Sequence, residues 1–360
     1  MADCSVVIEN KREDQIQFLR FVMFLFVFIL HMNMPEVYPT WNAAVSAVSF
    51  FYMLSGALCG YYAIEKNCHL SVKNIVSDTF RKAKKQYGLY FITTIFAVFW
   101  SELPALVVNF DFAGMKQPLL QLCRNFLMIQ SWFPDGYFSY NGVGWYLSTL
   151  MFLYLLNLPL TVLLKKINSM PHRGWISITA MALFVAVTAV YSYVTNNEEV
   201  HFWQYIFPPA RIGQYVFAAF LGYSIRSVKP KIRDGRTMWW TFTALEIGTV
   251  LFWLVSLYLT PISWRIRLLD GFVPNMLLLG VFLTGKGGIS QLFRGKLFVK
   301  LGNLSADCYL LHQIVIHLFF TLSGVAPQGK IARLLCMGFC LWFTVMVAFY
   351  LDRIKNTGKH

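Results

Sequence analysis

The sequence predicts an all-α integral membrane protein of about ten transmembrane helices, with both termini cytoplasmic. Three observations carry this. The 360 residues are 57% hydrophobic and only 13% charged, with 33 Phe, 18 Tyr and 11 Trp. The apolar residues come in blocks of roughly twenty, the length that crosses a bilayer. Basic residues alternate from one connection to the next. The segments assigned to the inside hold 23 of the 31 Lys and Arg, and those outside hold 6. That is the positive-inside pattern. It accounts for the net charge of +14 without a nucleic-acid partner.

The elements follow in order. The first fifteen residues, MADCSVVIENKREDQ, are polar, and the block after them is too long for a cleaved leader, so it reads as a retained signal anchor. The spans are placed near 16–34, 43–64, 87–108, 142–164, 174–195, 209–226, 238–259, 268–285, 298–323 and 331–352. The sixth and eighth are short and carry Gly or Pro. Lipid offers the backbone no hydrogen bonds, so each span must be helical. Alternating apolar and polar strands, the mark of an outer-membrane barrel, are absent. Residues 353–360 form a cytoplasmic tail, and the whole chain reads as one membrane domain. The outer segment 109–141 is rich in aromatics and turn residues, and is expected to form a short helix and a loop that packs back on the membrane face. The seven cysteines show no paired spacing, against a disulfide framework or a thiolate zinc site.

Chemistry enters with the first span. RFVMFLFVFILH, residues 20–31, closes ten apolar residues between Arg20 and His31. Eleven steps of about 100° bring both side chains to nearly one face, about 16 Å apart along the axis. Ionisable groups inside a span cost free energy and usually face a protein cavity. Arg20 can also snorkel to the inner headgroups, and His31 can also sit at the interface as a helix-end residue. His312 lies mid-span, where it lines a cavity or hydrogen-bonds a neighbouring helix. Arg211 ends a span on the outer side, where it meets an anionic group or the headgroups. Trp145 and Trp132 are candidates for stacking on a sugar, although interfacial tryptophans are common. Ser55 and Gly56 are read as permitting close helix packing rather than as a nucleophile. His312 and His317 are five apart, about 140° around a helix, so they do not form a metal face; no metal is expected.

Taken together these segments resemble acyltransferase family 3, membrane enzymes that O-acylate surface polysaccharides, lipopolysaccharides and similar acceptors. Six segments carry the resemblance. They are Arg20 and His31 on the first helix, FFYMLSGALCGYY (50–62), FRKAKKQYGLY (80–90), MIQSWFP (128–134) with NGVGWYLSTLMF (141–152), FPPARIGQYVFAAFLGY (207–223) and KLGNLSADCYLLHQIVI (300–316). Three positions depart from the family pattern. Lys84 stands where a second arginine is common, Gln214 where an acid is common, and Asp307 where an aromatic or small residue is common. Lysine keeps the charge but not the two-pronged fit to phosphate.

The resemblance implies an O-acyltransferase, most simply an O-acetyltransferase of the cell inner membrane. Its donor would be acetyl-CoA or another acyl-CoA from the cytoplasm. Its acceptor would be a hydroxyl of a surface glycan or a lipid-linked sugar. It implies His31 as general base or acyl carrier and Arg20 beside it in the catalytic set. Arg20, Arg81, Lys84 and Lys85 would hold the donor's phosphates, and Arg211, Trp145 and His312 the acceptor. Glu36 is near His31 in sequence, but Pro35 is expected to end the helix between them. The competing reading is a multi-pass transporter or flippase of a glycolipid. It shares the spans and the buried charges but makes no covalent change.

Overall fold

The computed structural model describes residues 13–32, 40–66, 68–101, 116–196, 199–232, 234–259, 271–324, 327 and 329–357. Pro35, Glu36, Lys11, Arg12, Arg233, Arg265, Arg267 and the outer end of the third expected span lie outside them. Thirteen α-helices and no strand occur among the described residues. They are α1 Asp14–His31, α2 Thr40–Tyr61, α3 Val72–Ser101, α4 Lys116–Phe126, α5 Gly144–Tyr154, α6 Asn157–Asn168 and α7 Arg173–Val194. After these come α8 Ile212–Val228, α9 Arg236–Leu259, α10 Phe272–Phe282, α11 Gly288–Phe293, α12 Lys296–Ser323 and α13 Lys330–Thr357.

Six helices, α1, α2, α7, α9, α12 and α13, are long and apolar enough to cross a bilayer, and α5 with α6 makes a seventh if that bent pair is one span. The count of ten also includes α3, α8 and α10. Each is helical but falls short by the same measure. The inner half of α3 is polar, α8 has 17 residues and α10 has 11. The fourth expected span breaks by 43° between Tyr154 and Asn157. Pro159 explains the break, because it has no N–H for the Leu155 carbonyl and its ring crowds that carbonyl.

Burial sorts the helices. The most apolar stretch of α2 is 89% buried, against 11% for α7 and 17% for α13. So α2 is the axis of the bundle, and α7 and α13 turn most of their surface outward. Small residues set how closely α2 meets α8. A Cβ on Gly56 would strike the Tyr215 carbonyl, one on Gly60 the Ala219 carbonyl, and one on Gly222 the Ala57 carbonyl. Backbone touches backbone along two turns, the arrangement that small residues allow between membrane helices. Gly302 of α12 meets the Gln17 carbonyl of α1 in the same way.

Charges within the bundle find partners at helix ends. Glu246 of α9 is fully buried and caps α11, accepting from the backbone N–H of Ile289 and Ser290 and from Ser290 Oγ. Asp307 of α12 pairs with Lys355 of α13 at 2.9 Å. Glu13 ties four elements together. It accepts from Tyr61 Oη at 2.6 Å, from Gln15 Nε2 at 2.7 Å and from Lys229 Nζ at 2.9 Å, and Lys229 also reaches the Leu283 carbonyl at 3.3 Å. Burial opposes ionisation of Glu13, but the bonds from Tyr61, Gln15 and Lys229 outweigh it and hold the carboxyl below its ordinary value.

Two outcomes follow. Gly60→Val forces α2 and α8 apart, and its cost lies at or above the ~1–3 kcal/mol of ordinary overpacking. Gly88→Ala, with nothing within 4 Å of the added carbon, leaves the melting temperature of the solubilised protein unchanged. A melting curve of each in detergent checks this. For Glu13 the depressed pKa means its stabilisation is complete above the free value of 4.5 and is lost as pH falls through the folded value. Wild type therefore loses more melting temperature between pH 5 and pH 3 than Glu13→Gln, read in the same assay.

Candidate active site

The first helix runs between two features that it helps to build. At its N-terminal part, Arg20 lines a cavity of about 410 Å³. The α2 wall presents Phe51, Ser55 and Cys59, and the α3 wall presents Lys82, Lys85 and Gln86. Tyr146 and Leu150 come from α5, and Tyr309 and Leu310 from α12. Lys66 joins from the connection between α2 and α3. One mouth thus holds four cations, Arg20, Lys66, Lys82 and Lys85, and the far end is aromatic. Such a space suits a long molecule with an anionic head and an uncharged tail.

Helical spacing decides which residues of the basic cluster reach this cavity. Lys82, Lys85 and Gln86 follow an i, i+3, i+4 pattern and share a face. Arg81 turns away and pairs with Asp78, and Lys84 is exposed and is not part of the lining. Asp78 also holds Lys82 at 2.7 Å, and the Lys82 ammonium lies 5.5 Å from the Tyr154 ring. Burial, and then Lys66, push the Lys82 pKa below that of a free lysine, against the pull of Asp78. Burial opposes ionisation of Asp78, but Lys82 and Arg81 outweigh it and keep its pKa low. An anion at the mouth would relieve the crowding of positive charge there.

At the other end of α1, His31 meets His312 of α12. The two rings lie 4.9 Å apart, and His312 Nε2 stands 3.1 Å from His31 Nδ1. His312 Nδ1 faces the Tyr309 carbonyl at 2.7 Å, and His31 Nδ1 faces the Val27 carbonyl at 2.8 Å. A carbonyl only accepts, so each neutral imidazole carries its proton on Nδ1. His31 Nδ1–H is then shared between the Val27 carbonyl and the bare Nε2 of His312, and His31 Nε2 is left with an open lone pair. The Tyr309 ring, which lines the cavity, packs 5.7 Å from the His312 ring, and Phe24 flanks the other side at 5.6 Å. Tyr309 thus stands between the histidine pair and the cavity that Arg20 lines.

Arg211 is 1% exposed and does not line the cavity. Its Nε and Nη2 donate to the Tyr205 carbonyl at 3.1 and 2.8 Å, and its Nη1 donates to Ser49 Oγ at 3.3 Å and to Gln214 Oε1 at 3.2 Å. Among the described residues no carboxylate pairs with it. Gln214 supplies a neutral acceptor, and the rings of Tyr205 and Tyr52 lie 4.8 and 5.3 Å from the guanidinium. Trp145 is also buried, against Tyr205 at 5.0 Å, and presents no open stacking face.

Sequence reasoning left Lys66, Lys82, Tyr146 and Tyr309 out of the site. Lys82 was findable from the helical face it shares with Lys85. Tyr146 and Tyr309 stand beside or three residues before residues already singled out. Lys66 carried no signal, because only the return of the chain after α2 brings it to the mouth. Among the described residues no three His, Cys, Asp or Glu side chains gather as a metal site would need.

One outcome tests the face assignment. Lys82→Ala and Lys85→Ala weaken binding of a polyanionic ligand such as coenzyme A several-fold, whereas Lys84→Ala leaves it unchanged, read by calorimetry on the solubilised protein.

No curated protein and no solved structure matches the chain. The family model of the acyltransferase domain, that of acyltransferase family 3, matches residues 13–353. With nearly its whole length inside that match, the chain belongs to acyltransferase family 3 and is a membrane-embedded acyltransferase.

Proposed function

We propose that the protein is an O-acyltransferase of the cell inner membrane. It moves an acyl group, most simply acetyl, from a cytoplasmic acyl-CoA to a hydroxyl of a surface glycan or its lipid-linked precursor. The observation that supports this best is a cavity with four cations and aromatic walls, one of whose lining rings, Tyr309, packs against His312, the partner of His31. The cations suit the donor's phosphates, and the uncharged interior suits its thioester arm.

In this reading His31 is the base and His312 is a positioning residue. The acceptor hydroxyl gives its proton to His31 Nε2 while its oxygen attacks the thioester carbonyl carbon. The C–O bond forms, the C–S bond breaks, and the sulfur leaves as a thiolate that takes the proton from the imidazolium. His312 Nε2 accepts a hydrogen bond from His31 Nδ1–H throughout, so it fixes the tautomer and steadies the transient positive charge. The logic is that of a catalytic triad with a neutral third member. Arg211, Tyr52 and Tyr205 brace the outer half of the bundle behind this site.

The test is ester acetate released by mild base from the surface glycan, at matched protein levels in the membrane. His31→Ala is expected to lower it by about a hundredfold or more, the range of a general base. His312→Ala is expected to lower it by roughly tenfold or more, with part restored in His312→Gln, whose amide oxygen can accept from His31. Wild-type ester in His31→Ala would overturn the assignment of the base. If wild type adds no ester at all, the acetyl and glycan parts of the reading fall.

A further inference from the structure

A second space lies between α3 and α12, beyond the cavity on the side away from the cations. It measures about 100 Å³, with Phe96, Ile314 and Leu318 as apolar walls and Asn141, Gln313 and His317 as polar members. At about 30 Å³ for a water, it holds roughly three waters or the edge of a small ring.

Asn141 is the unusual member. It is 2% exposed. Its Nδ2 donates to Thr93 Oγ1 at 2.9 Å and to the Leu310 carbonyl at 3.2 Å. Thr93 spends its own proton on the Tyr90 carbonyl at 2.9 Å, so toward Asn141 it can only accept. Both neighbours of the nitrogen are therefore acceptors, and the amide cannot be turned around. Asn141 Oδ1 is left buried with no hydrogen-bond partner. Buried acceptors are seldom left so. The Gln313 amide and the His317 imidazole make no hydrogen bond among the described residues either. One buried acceptor, one amide and one imidazole thus stand with unspent hydrogen-bonding capacity over an apolar wall.

The chemistry selects the ligand. An acyl chain would leave Asn141 Oδ1 unsatisfied, and an anion would face a carbonyl oxygen. A neutral molecule with hydroxyls on its edge and C–H groups on its face satisfies both kinds of surface. Position agrees. Leu310 lines the donor cavity, and its carbonyl is the one held by Asn141, so one layer of residues separates the two spaces. His317 lies five residues beyond His312 on α12, about 7.5 Å along the axis.

We propose that this pocket holds the hydroxyl-bearing end of a sugar acceptor, with Asn141 Oδ1 accepting a hydrogen bond from one of its hydroxyls. That the sugar is an acceptor rests on the acyl-transfer reading above; that the pocket binds a sugar does not.

The experiment separates the two. The full chain in phosphatidylcholine nanodiscs is probed with methyl α-D-glucopyranoside by saturation-transfer difference NMR, for wild type, Asn141→Leu and Gln313→Leu. Gln313 is half-buried and holds no other residue, so its variant keeps the fold. Wild type is expected to transfer saturation to the sugar ring protons. Both variants are expected to lose about fivefold, the scale of one neutral hydrogen bond, while the melting-temperature rise given by acetyl-CoA stays unchanged. Equal signals in wild type and Gln313→Leu overturn the proposal, as does no signal in wild type, which would leave the pocket to lipid chains. If the sugar binds in wild type and weakly in both variants, yet no acetyl passes to it from acetyl-CoA, the pocket stands and the acyl-transfer reading with this donor falls.

Discussion

The approach of α2 to α8, backbone against backbone, is the constraint on which the rest of the structure depends. Gly56, Gly60 and Gly222 each place a hydrogen where any other residue would drive a carbon into a carbonyl. Within lipid there is no water to expel between helices, so packing of this kind has to hold them. With α2 fixed at the centre, Phe51 and Ser55 on one of its faces become a cavity wall and Ser49 and Tyr52 on the other reach Arg211. Gly302 then lets α12 settle on α1 closely enough for His312 to meet His31. The two-histidine contact is a consequence of where glycines fall.

Charge is distributed by a second rule. The carboxylates Glu13, Glu246 and Asp307 are each consumed locally, by a lysine, a tyrosine or backbone N–H groups at a helix end. They tie helices together and leave little free charge. The cations are treated differently. Arg20, Lys66, Lys82 and Lys85 crowd one mouth, where Asp78 holds Lys82, and Arg211 is buried among tyrosine rings and neutral oxygens. A bundle that neutralises its acids and concentrates its bases at one opening fits the anionic donor proposed above.

Much of the architecture was legible because it is written in composition. Blocks of apolar residues and the alternation of Lys and Arg need no tertiary contact to be read. The first helix was legible for the same reason, since eleven steps around a helix bring Arg20 and His31 to one side whatever lies next to it. The break before Pro159 was available from the proline and was passed over in favour of one continuous apolar block. What sequence could not supply was anything decided between helices. The partner of His31 sits 281 positions away. The choice of Lys82 over Arg81 depends on which face of α3 meets α12, and the packing of Tyr205 on Trp145 likewise joins residues 60 positions apart. Asn141 drew no notice at all, because its meaning lies in an oxygen that nothing touches.

In the proposed reaction, the use of a second histidine behind the first follows from the solvent. In a water-filled cleft a carboxylate commonly orients a catalytic imidazole. Within an apolar bundle a carboxylate at that point would add the desolvation cost of an anion, several kcal/mol even after relaxation. It would also hold the imidazole as a cation and take away the lone pair needed to accept a proton. A neutral His312, itself fixed by the Tyr309 carbonyl, orients His31 with no resting charge. It becomes most favourable only when His31 has taken a proton, since its bare nitrogen then faces a charged donor. The support is thus stronger in the charged state than in the resting one, which is the difference that lowers a barrier.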